Sequence, residues 1–318
     1  MSKISVMAVL VSFCLSAMAG PVLIPLLRRL KAGQTVREDG PATHLKKTGT
    51  PTMGGLLILV SVAVTCLPFL RAFPRVAPVI FLMAGFGSIG FLDDYIKVVL
   101  RRSMGLSPLQ KFSAQVLVTG VFAWYLLRYT DVSLAMRIPF TNGEYLDFGI
   151  WNLPILFFIV LGTANGVNFT DGLDGLAGSV TAVVAVFFTV VALGTKGGIE
   201  PVTCAVAGAL MGFLMFNVHP ASVFMGDTGS LALGGFVAGC GFVLQMPLYI
   251  AIVGLIYMAE VASVILQVAY FKLTGGRRLF RMAPLHHHFE LCGWSETRIT
   301  AVFSTITAMM CLLALAGY

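Results

Sequence analysis

Residues 76–95 read VAPVIFLMAGFGSIGFLDDY, an apolar run that closes on two adjacent aspartates. Asp93 and Asp94 would stand at a membrane boundary, where a carboxylate costs solvation free energy and adds little packing. Chemistry is therefore the best reason for the pair to be there. The alternative is a solvated helix end, with Tyr95 and Lys97 as its interface anchor.

Composition defines the class of protein. Hydrophobic residues make up 58% of the 318 residues, and charged residues only 11%. Soluble domains carry roughly 25% charged residues, so this chain is interpreted as an integral membrane protein. Because about 20 apolar residues cross a bilayer as a helix, the apolar runs predict an all-α fold with about ten transmembrane helices. The predicted spans are 4–27, 52–70, 76–92, 113–129, 150–166, 176–194, 199–216, 230–246, 248–271 and 298–317.

The connections add little further structure. Residues 130–149 carry Asn142-Gly143 between short alternating stretches, which predicts a small β-hairpin at the membrane surface. No second soluble domain is indicated, so residues 1–318 are interpreted as one polytopic membrane domain. The six cysteines are scattered without a Cys-x-x-Cys pair, and neither a disulfide framework nor a zinc site is predicted.

Lysine and arginine are unevenly divided between the two sides of the predicted membrane. Of the 21 such residues, six fall on the side of the amino terminus: Lys3, Arg71, Arg75, Arg128, Arg137 and Lys196. The other fifteen fall on the opposite side, which is therefore predicted to be cytoplasmic. An even number of helices then leaves both termini extracytoplasmic, and Asp93 and Asp94 open to the cytoplasm.

Two further acidic motifs interrupt the apolar runs on this side. Residues 165–178 include Asn168, Asp171 and Asp174 with four glycines, which allow a tight turn and close approach of the backbone to a ligand. The spacing of Asp171 and Asp174 predicts that they share one face of a helical turn. Asp227, between glycine and threonine, suits Mg²⁺, which prefers one or two carboxylates with phosphate and water. Capping of the next helix is the alternative for each motif.

Basic and imidazole groups complete the polar face. Lys46 and Lys47 precede a glycine-rich helix start that could bind phosphate, although the positive-inside rule alone also explains them. Lys97 and Lys111 would suit an anionic lipid or a nucleotide phosphate. Residues 286–288 are three consecutive histidines, which point in different directions in any regular element and would chelate one metal poorly. Hydrogen bonding to a diphosphate or nucleotide is the more plausible role for one or two of them.

Five motifs occur in order along the chain: GTPTMGG at 49–55, FLDDY at 91–95, NFTDGLDGL at 168–176, VFMGDTGSL at 223–231 and APLHHHFE at 283–290. As a set they resemble the phospho-N-acetylmuramoyl-pentapeptide transferase family, from about residue 46 to residue 290. Related transferases that load N-acetylhexosamine 1-phosphate onto a polyprenyl phosphate share the paired aspartates but do not usually carry PLHHHFE. Thr48 and Phe169 depart slightly from the family pattern and leave the resemblance intact.

This resemblance implies transfer of phospho-N-acetylmuramoyl-pentapeptide from UDP-N-acetylmuramoyl-pentapeptide to undecaprenyl phosphate, giving lipid I and UMP in peptidoglycan biosynthesis. It implies a Mg²⁺ requirement, a multi-pass location in the bacterial cytoplasmic membrane and a homodimer; no nucleic-acid partner is expected. A lipid phosphate oxygen must attack the β-phosphorus of the diphosphate. The site therefore needs a metal to neutralise charge, basic groups for the phosphates and access to the bilayer.

Carried over position by position, the catalytic aspartates of the family fall on Asp93, Asp94 and Asp227, of which Asp227 matches the magnesium ligand. Its polar substrate-binding positions fall on Lys47, Lys111, Asn168, Asp171, Asp174, Asn217, His286 and His287. The aromatic ring near the uracil falls on Phe224. Two mechanisms stay open, since Asp94 could deprotonate the lipid phosphate for direct attack, or Asp93 or Asp94 could form a covalent phospho-sugar intermediate.

Two other functions fit part of the pattern. An amino-sugar-1-phosphate polyprenyl transferase would differ in the sugar nucleotide that it accepts. A secondary transporter would also place acids and glycine-rich breaks in a helical bundle, but its ionisable residues would cluster near the bilayer midplane and its halves would repeat. Here the acids gather at one surface and no internal repeat is visible, which favours the transferase.

Overall fold

The fold is described from a computed structural model, which describes residues 3–30, 49–100, 102 and 104–318. Lys47 lies outside these residues. Within them the chain forms twelve α-helices and one two-stranded sheet. The helices are α1 (Lys3–Arg29), α2 (Gly55–Cys66), α3 (Val76–Val98), α4 (Pro108–Tyr129), α5 (Asn152–Thr170), α6 (Leu176–Thr195), α7 (Glu200–Asn217), α8 (Gly226–Val243), α9 (Ile250–Val253), α10 (Leu255–Leu273), α11 (Leu285–Leu291) and α12 (Glu296–Ala316).

The all-α membrane fold is confirmed. Every predicted apolar run contains helix, and the run at 248–271 is divided between α9 and α10. Among the described residues, seven helices are long and apolar enough to cross a membrane: α1, α3, α5, α6, α7, α10 and α12. Helix α2 has only 12 residues, while α4 and α8 begin with polar turns. The count of ten spans and the side on which the termini lie therefore stay predictions.

The predicted hairpin is also confirmed. Strand β1 (Met136–Arg137) pairs antiparallel with β2 (Tyr145–Leu146). The guanidinium of Arg137 donates a hydrogen bond of 2.5 Å to the backbone oxygen of Tyr318 and lies 3.7 Å from the centre of its ring. The hairpin is thereby fastened to the carboxyl-terminal end of α12.

Helix α8 is the central element of the bundle. All of its residues from Thr228 to Val243 are buried, and α2, α3 and α5 pack around it. The backbones approach very closely at two glycines. A Cβ atom added at Gly90 of α3 would lie 2.0 Å from the backbone oxygen of Asp227, and one at Gly55 of α2 would lie 2.2 Å from the Cα of Gly229. Helices that pack in lipid use small residues for such contacts.

Chain direction brings the polar motifs to one end of the bundle. Hydrogen bonds join the ends of α3 and α5 to the starts of α4 and α8. All four therefore meet at the same end of the bundle. The hairpin follows the end of α4 and precedes α5, so it lies at the opposite end. The two ends are therefore chemically distinct: one carries the acidic motifs, and the other carries the hairpin and the end of α12.

Gly90→Ala tests the close packing of α3 on α8. The new methyl group would overlap the backbone at Asp227, so the helices must separate, at a cost of about 1–3 kcal/mol. We expect a lower thermal unfolding temperature in detergent. The control is Gly162→Ala in α5, where the added Cβ would meet no described atom within 4 Å apart from its chain neighbours and its own helix backbone. Equal unfolding temperatures for the two variants would contradict the close contact.

Candidate active site

The site is built on the first turn of α8. Asp94, near the end of α3, accepts hydrogen bonds from the backbone N–H of Asp227 (3.2 Å), the backbone N–H of Thr228 (2.9 Å) and the hydroxyl of Thr228 (2.6 Å). The first N–H groups of a helix have no partner within the helix. Met225, the residue before α8, makes no capping hydrogen bond with its side chain. A carboxylate from α3 thus caps α8 and fixes the position of Asp227.

Asp227 is held by side chains from three other helices. The ammonium of Lys111, in the first turn of α4, lies 2.7 Å from one carboxylate oxygen. The amide of Asn168, from α5, donates to the other oxygen at 2.9 Å and to the hydroxyl of Ser230 at 2.8 Å. Lys97, from α3, lies 3.5 Å from the first oxygen. Four helices therefore meet at this carboxylate.

Asp93 has different partners from Asp94. One of its oxygens accepts the backbone N–H of Leu106 at 2.7 Å, and the other lies 2.5 Å from the ammonium of Lys97. The side chains of Asp93 and Asp94 are both almost fully buried. Asp93 thus connects α3 to the segment that leads into α4, and Lys97 stands between Asp93 and Asp227.

The three aspartates could hold a metal ion. Asp93, Asp94 and Asp227 each offer a carboxylate oxygen, and these atoms lie within 4.8 Å of one another. Carboxylate oxygen is the ligand type that Mg²⁺ prefers, and one or two carboxylates usually suffice alongside phosphate and water. The donor chemistry therefore fits a hard divalent cation, while Lys97 and Lys111 offset part of the negative charge.

The side chains of Asp171 and Asp174 belong to different groups of polar residues. Helix α5 ends at Thr170 and α6 begins at Leu176, so both aspartates lie in the turn between helices and do not share a helical face. The half-buried Asp171 faces the backbone N–H of Gly226. Burial, and next the negative charges of Asp227 and Asp94, raise the pKa of the Asp171 carboxyl well above its ordinary value. Asp171 thus belongs to the cluster around Asp227.

Asp174 belongs to a second group. Its carboxylate accepts the backbone N–H of Ala221 at 3.0 Å and lies 3.1 Å from Nδ1 of His219. A carboxylate oxygen of Glu296 lies 3.7 Å from the same nitrogen. Asp174, His219 and Glu296 also bring possible ligand atoms within 4.8 Å of one another. This group ties the turn after α5 to the segment after α7 and to the start of α12.

Asn217 and Phe224 lie on the segment that leads into α8. Asn217 is buried, its amide oxygen accepts the backbone N–H of Gly175 at 3.1 Å, and its amide nitrogen donates to the backbone oxygen of Val223 at 2.9 Å. Both polar atoms are thus occupied by backbone groups. Phe224 is half-buried, and its backbone pairs with residues 51 and 54 of the GTPTMGG motif. Asn217 therefore braces the loops, whereas Phe224 keeps part of its surface exposed.

The three histidines of α11 have three different polar partners. His286 is buried, with Nδ1 at 3.2 Å from a carboxylate oxygen of Glu260 in α10. Nδ1 of His287 lies 2.7 Å from Glu290. Nδ1 of His288 accepts the backbone N–H of Arg281 at 3.2 Å. His286 lies against the turn after α5, because a Cβ atom added at Gly172 would lie 2.0 Å from its Nε2.

Two contributors to the cluster, Thr228 and Ser230, were missed by the motif analysis as site residues. Lys97 was expected to bind phosphate, but its pairing with Asp93 was not predicted, although residues four apart meet on a helix. Thr228 and Ser230 lie in a recognised motif, but their hydroxyl contacts depend on the packing of α3 and α5 against α8 and give no signal in the sequence.

Comparison with known proteins bears on this geometry. Residues 76–246 match the family described as glycosyl transferase family 4, and residues 47–59 match phospho-N-acetylmuramoyl-pentapeptide-transferase signature 1. A phospho-N-acetylmuramoyl-pentapeptide-transferase of Clostridium perfringens (strain 13) is 47% identical over 314 residues, covering 98% of each chain. One of Acetivibrio thermocellus is 50% identical over 308 residues, covering 96% of this chain and 92% of the relative.

A transferase of the same name from Clostridioides difficile is 48% identical over 310 residues, covering 96% of this chain and 94% of the relative. The matched segment 76–246 contains Asp93, Asp94, Lys111, Asn168 and Asp227, the residues that meet at the first turn of α8. With such identity along nearly the whole of both chains, this chain belongs to the phospho-N-acetylmuramoyl-pentapeptide-transferase family.

Proposed function

We propose that this protein transfers phospho-N-acetylmuramoyl-pentapeptide from UDP-N-acetylmuramoyl-pentapeptide to undecaprenyl phosphate, forming lipid I and UMP for peptidoglycan synthesis. The observation that supports it best is the group of Asp93, Asp94, Asp227, Lys97 and Lys111 at one end of an apolar bundle. Both substrates carry phosphate, and one of them is a lipid. A water-soluble diphosphate and a membrane-anchored phosphate can meet only at such a boundary.

The charges in the cluster suit a reaction between two phosphates. Repulsion between the lipid phosphate and the diphosphate opposes their approach, so positive charge must be supplied. Bound Mg²⁺ would supply it, with Asp227 as its ligand. Lys97 and Lys111 place two further cations at the same point, within 3.5 Å and 2.7 Å of Asp227.

Asp93 and Asp94 are suited to different tasks. Asp94 accepts three hydrogen bonds from the first turn of α8, which commits its oxygens to holding Asp227 in place. Asp93 has one backbone donor, the half-exposed Lys97 as its ion-pair partner and a side-chain contact with Asp227. Once Lys97 turns towards a substrate phosphate, Asp93 loses its ammonium partner and can take up a proton. We assign proton acceptance from the lipid phosphate to Asp93 and the positioning of Asp227 to Asp94.

The remaining residues are assigned by their accessibility. Asn168 orients Asp227, and Phe224 offers an aromatic face to the uracil. Asp171 and His287 are assigned to the sugar nucleotide, and Asp174, Asn217 and His286 support the loops around it. Lys47, outside the described residues, is assigned to the sugar nucleotide from the family resemblance alone. The cluster faces the cytoplasm of a bacterial inner membrane under this proposal, since the sugar nucleotide is cytoplasmic. The homodimer implied by the family resemblance stays a prediction.

The function is tested by UMP release from detergent-purified protein with undecaprenyl phosphate and Mg²⁺. UDP-N-acetylmuramoyl-pentapeptide and UDP-N-acetylglucosamine are supplied in parallel reactions. We expect UMP from the pentapeptide substrate alone. Release from UDP-N-acetylglucosamine alone would assign the chain to the amino-sugar-1-phosphate transferases, and release from neither by folded protein would refute the proposal.

Asp227→Asn tests the metal assignment. The amide preserves shape but removes the charge that binds Mg²⁺, so we expect kcat to fall by roughly 100-fold or more and the half-saturating Mg²⁺ concentration to rise. The control is Asp131→Asn, whose side chain is 74% exposed and lies between α4 and the hairpin. Normal turnover at the usual Mg²⁺ concentration by the Asp227 variant would remove this residue from the site.

Lys111→Met tests whether the ammonium of Lys111 binds substrate phosphate. A hydrogen bond to a charged group contributes about 1.5–3 kcal/mol, so KM for the sugar nucleotide should rise roughly 10–100-fold. Lys196→Met, at the end of α6 away from the cluster, is the matched control and should leave KM unchanged. If the two variants had equal KM values, Lys111 would serve only to neutralise Asp227.

A further inference from the structure

A buried acid in α10 is not used by the proposed reaction. Glu260 lies in the apolar span Leu255–Leu273 and has no exposed surface. Its ion-pair partner is His286, which is 1% exposed and places Nδ1 at 3.2 Å from Oε2 of Glu260. An acid fully enclosed in an apolar helix is costly, so a specific role is expected for it.

Glu260 and His286 are each other's ion-pair partner. Within the described part of the chain, none of the carboxylate oxygens of Glu260 and neither ring nitrogen of His286 has the geometry of a hydrogen bond, and the 3.2 Å approach of Nδ1 to Oε2 is the polar contact between them. A buried carboxylate without a partner costs several kcal/mol, and the same holds for a buried imidazolium. The pair is therefore one unit, in which Nδ1 lies beside the carboxylate and Nε2 lies on the other side of the ring.

Nε2 faces the turn that carries Asp171. A Cβ atom added at Gly172 would lie 2.0 Å from Nε2 and 2.5 Å from Cε1 of His286, so the ring is in contact with the backbone of Gly172. Asp171 precedes this glycine and faces the backbone N–H of Gly226, next to Asp227. The position of the imidazole therefore determines where the Asp171–Gly175 turn can lie.

We propose that Glu260 is a positioning residue: its carboxylate accepts the Nδ1–H of His286, fixes the orientation and tautomer of the ring, and so holds the turn with Asp171 against the start of α8. A carboxylate that orients a histidine through Nδ1 is a common device at functional sites. The effect of Glu260 on turnover rests on the proposed function, whereas the tautomer of His286 does not.

The tautomer is measured directly by ¹⁵N NMR of protein labelled at histidine. The chain has five histidines, and comparison with His286→Gln identifies the signals of His286. We expect a protonated Nδ1 in the unaltered protein and transfer of the proton to Nε2 in Glu260→Leu. An unprotonated Nδ1 in the unaltered protein would overturn the proposal, whatever reaction the protein catalyses.

Turnover supplies the second measurement. Glu260→Leu should lower kcat roughly tenfold or more while KM for the sugar nucleotide changes little, because small misplacements of a site residue act mainly on the transition state. Glu260→Gln keeps an oxygen that accepts Nδ1–H and should retain most of the activity. The double variant of Glu260→Leu with His286→Ala should be no slower than His286→Ala alone, since both changes remove the same support.

Ser263→Ala is the matched control for a buried polar change on α10. The Ser263 hydroxyl donates to the backbone oxygen of Glu260 at 2.7 Å and lies one turn further along the helix. It should leave kcat and the His286 signals unchanged. If kcat of the double variant were lower than that of His286→Ala, Glu260 would act without His286, and the proposal would be overturned. If Glu260→Leu fails to fold, Glu260→Gln and the NMR signals of the unaltered protein decide the question.

Discussion

The hydrogen bonds from the first turn of α8 to Asp94 determine the geometry of this protein more than any other interaction. A helix that begins inside an apolar bundle needs acceptors for its first N–H groups, since water is not available to satisfy them. Asp94 supplies them from a different helix. The cap therefore does two things: it stabilises α8, by about 1.5–3 kcal/mol for each charge-assisted bond, and it fixes the position of α8 along α3.

That position decides the rest of the cluster. With α8 fixed along α3, Asp227 comes within 3.5 Å of Lys97, and Lys97 is already paired with Asp93 one turn earlier on α3. The close approach is possible because Gly90 has no side chain at the point where the two backbones meet. Gly90 and Asp94 lie four residues apart on the same face of α3 and act together. Gly90 permits the close contact with α8, and Asp94 fixes the position of α8.

Much of this arrangement follows from the sequence. The apolar runs predict the helices, and the distribution of acids predicts that Asp93, Asp94 and Asp227 gather at one end. What the sequence does not provide is the contact between α3 and α8, and hence the difference between Asp93 and Asp94. The spacing of Asp171 and Asp174 was misleading for a local reason, because α5 ends at Thr170 and the following turn sends the two side chains to different groups.

The same reasoning separates the polar residues into those that can act on a substrate and those that hold the structure around it. Asn217 and the Glu260–His286 pair carry the residue types expected of a binding site, yet they are buried, and their polar atoms face the backbone or each other. A polar side chain in an apolar bundle must be satisfied before a substrate arrives. Lys97, half-exposed and paired with a carboxylate, satisfies that condition and can still exchange its partner for a phosphate. Burial together with the identity of the partner, more than residue type, therefore distinguishes a supporting residue from a reactive one in this fold.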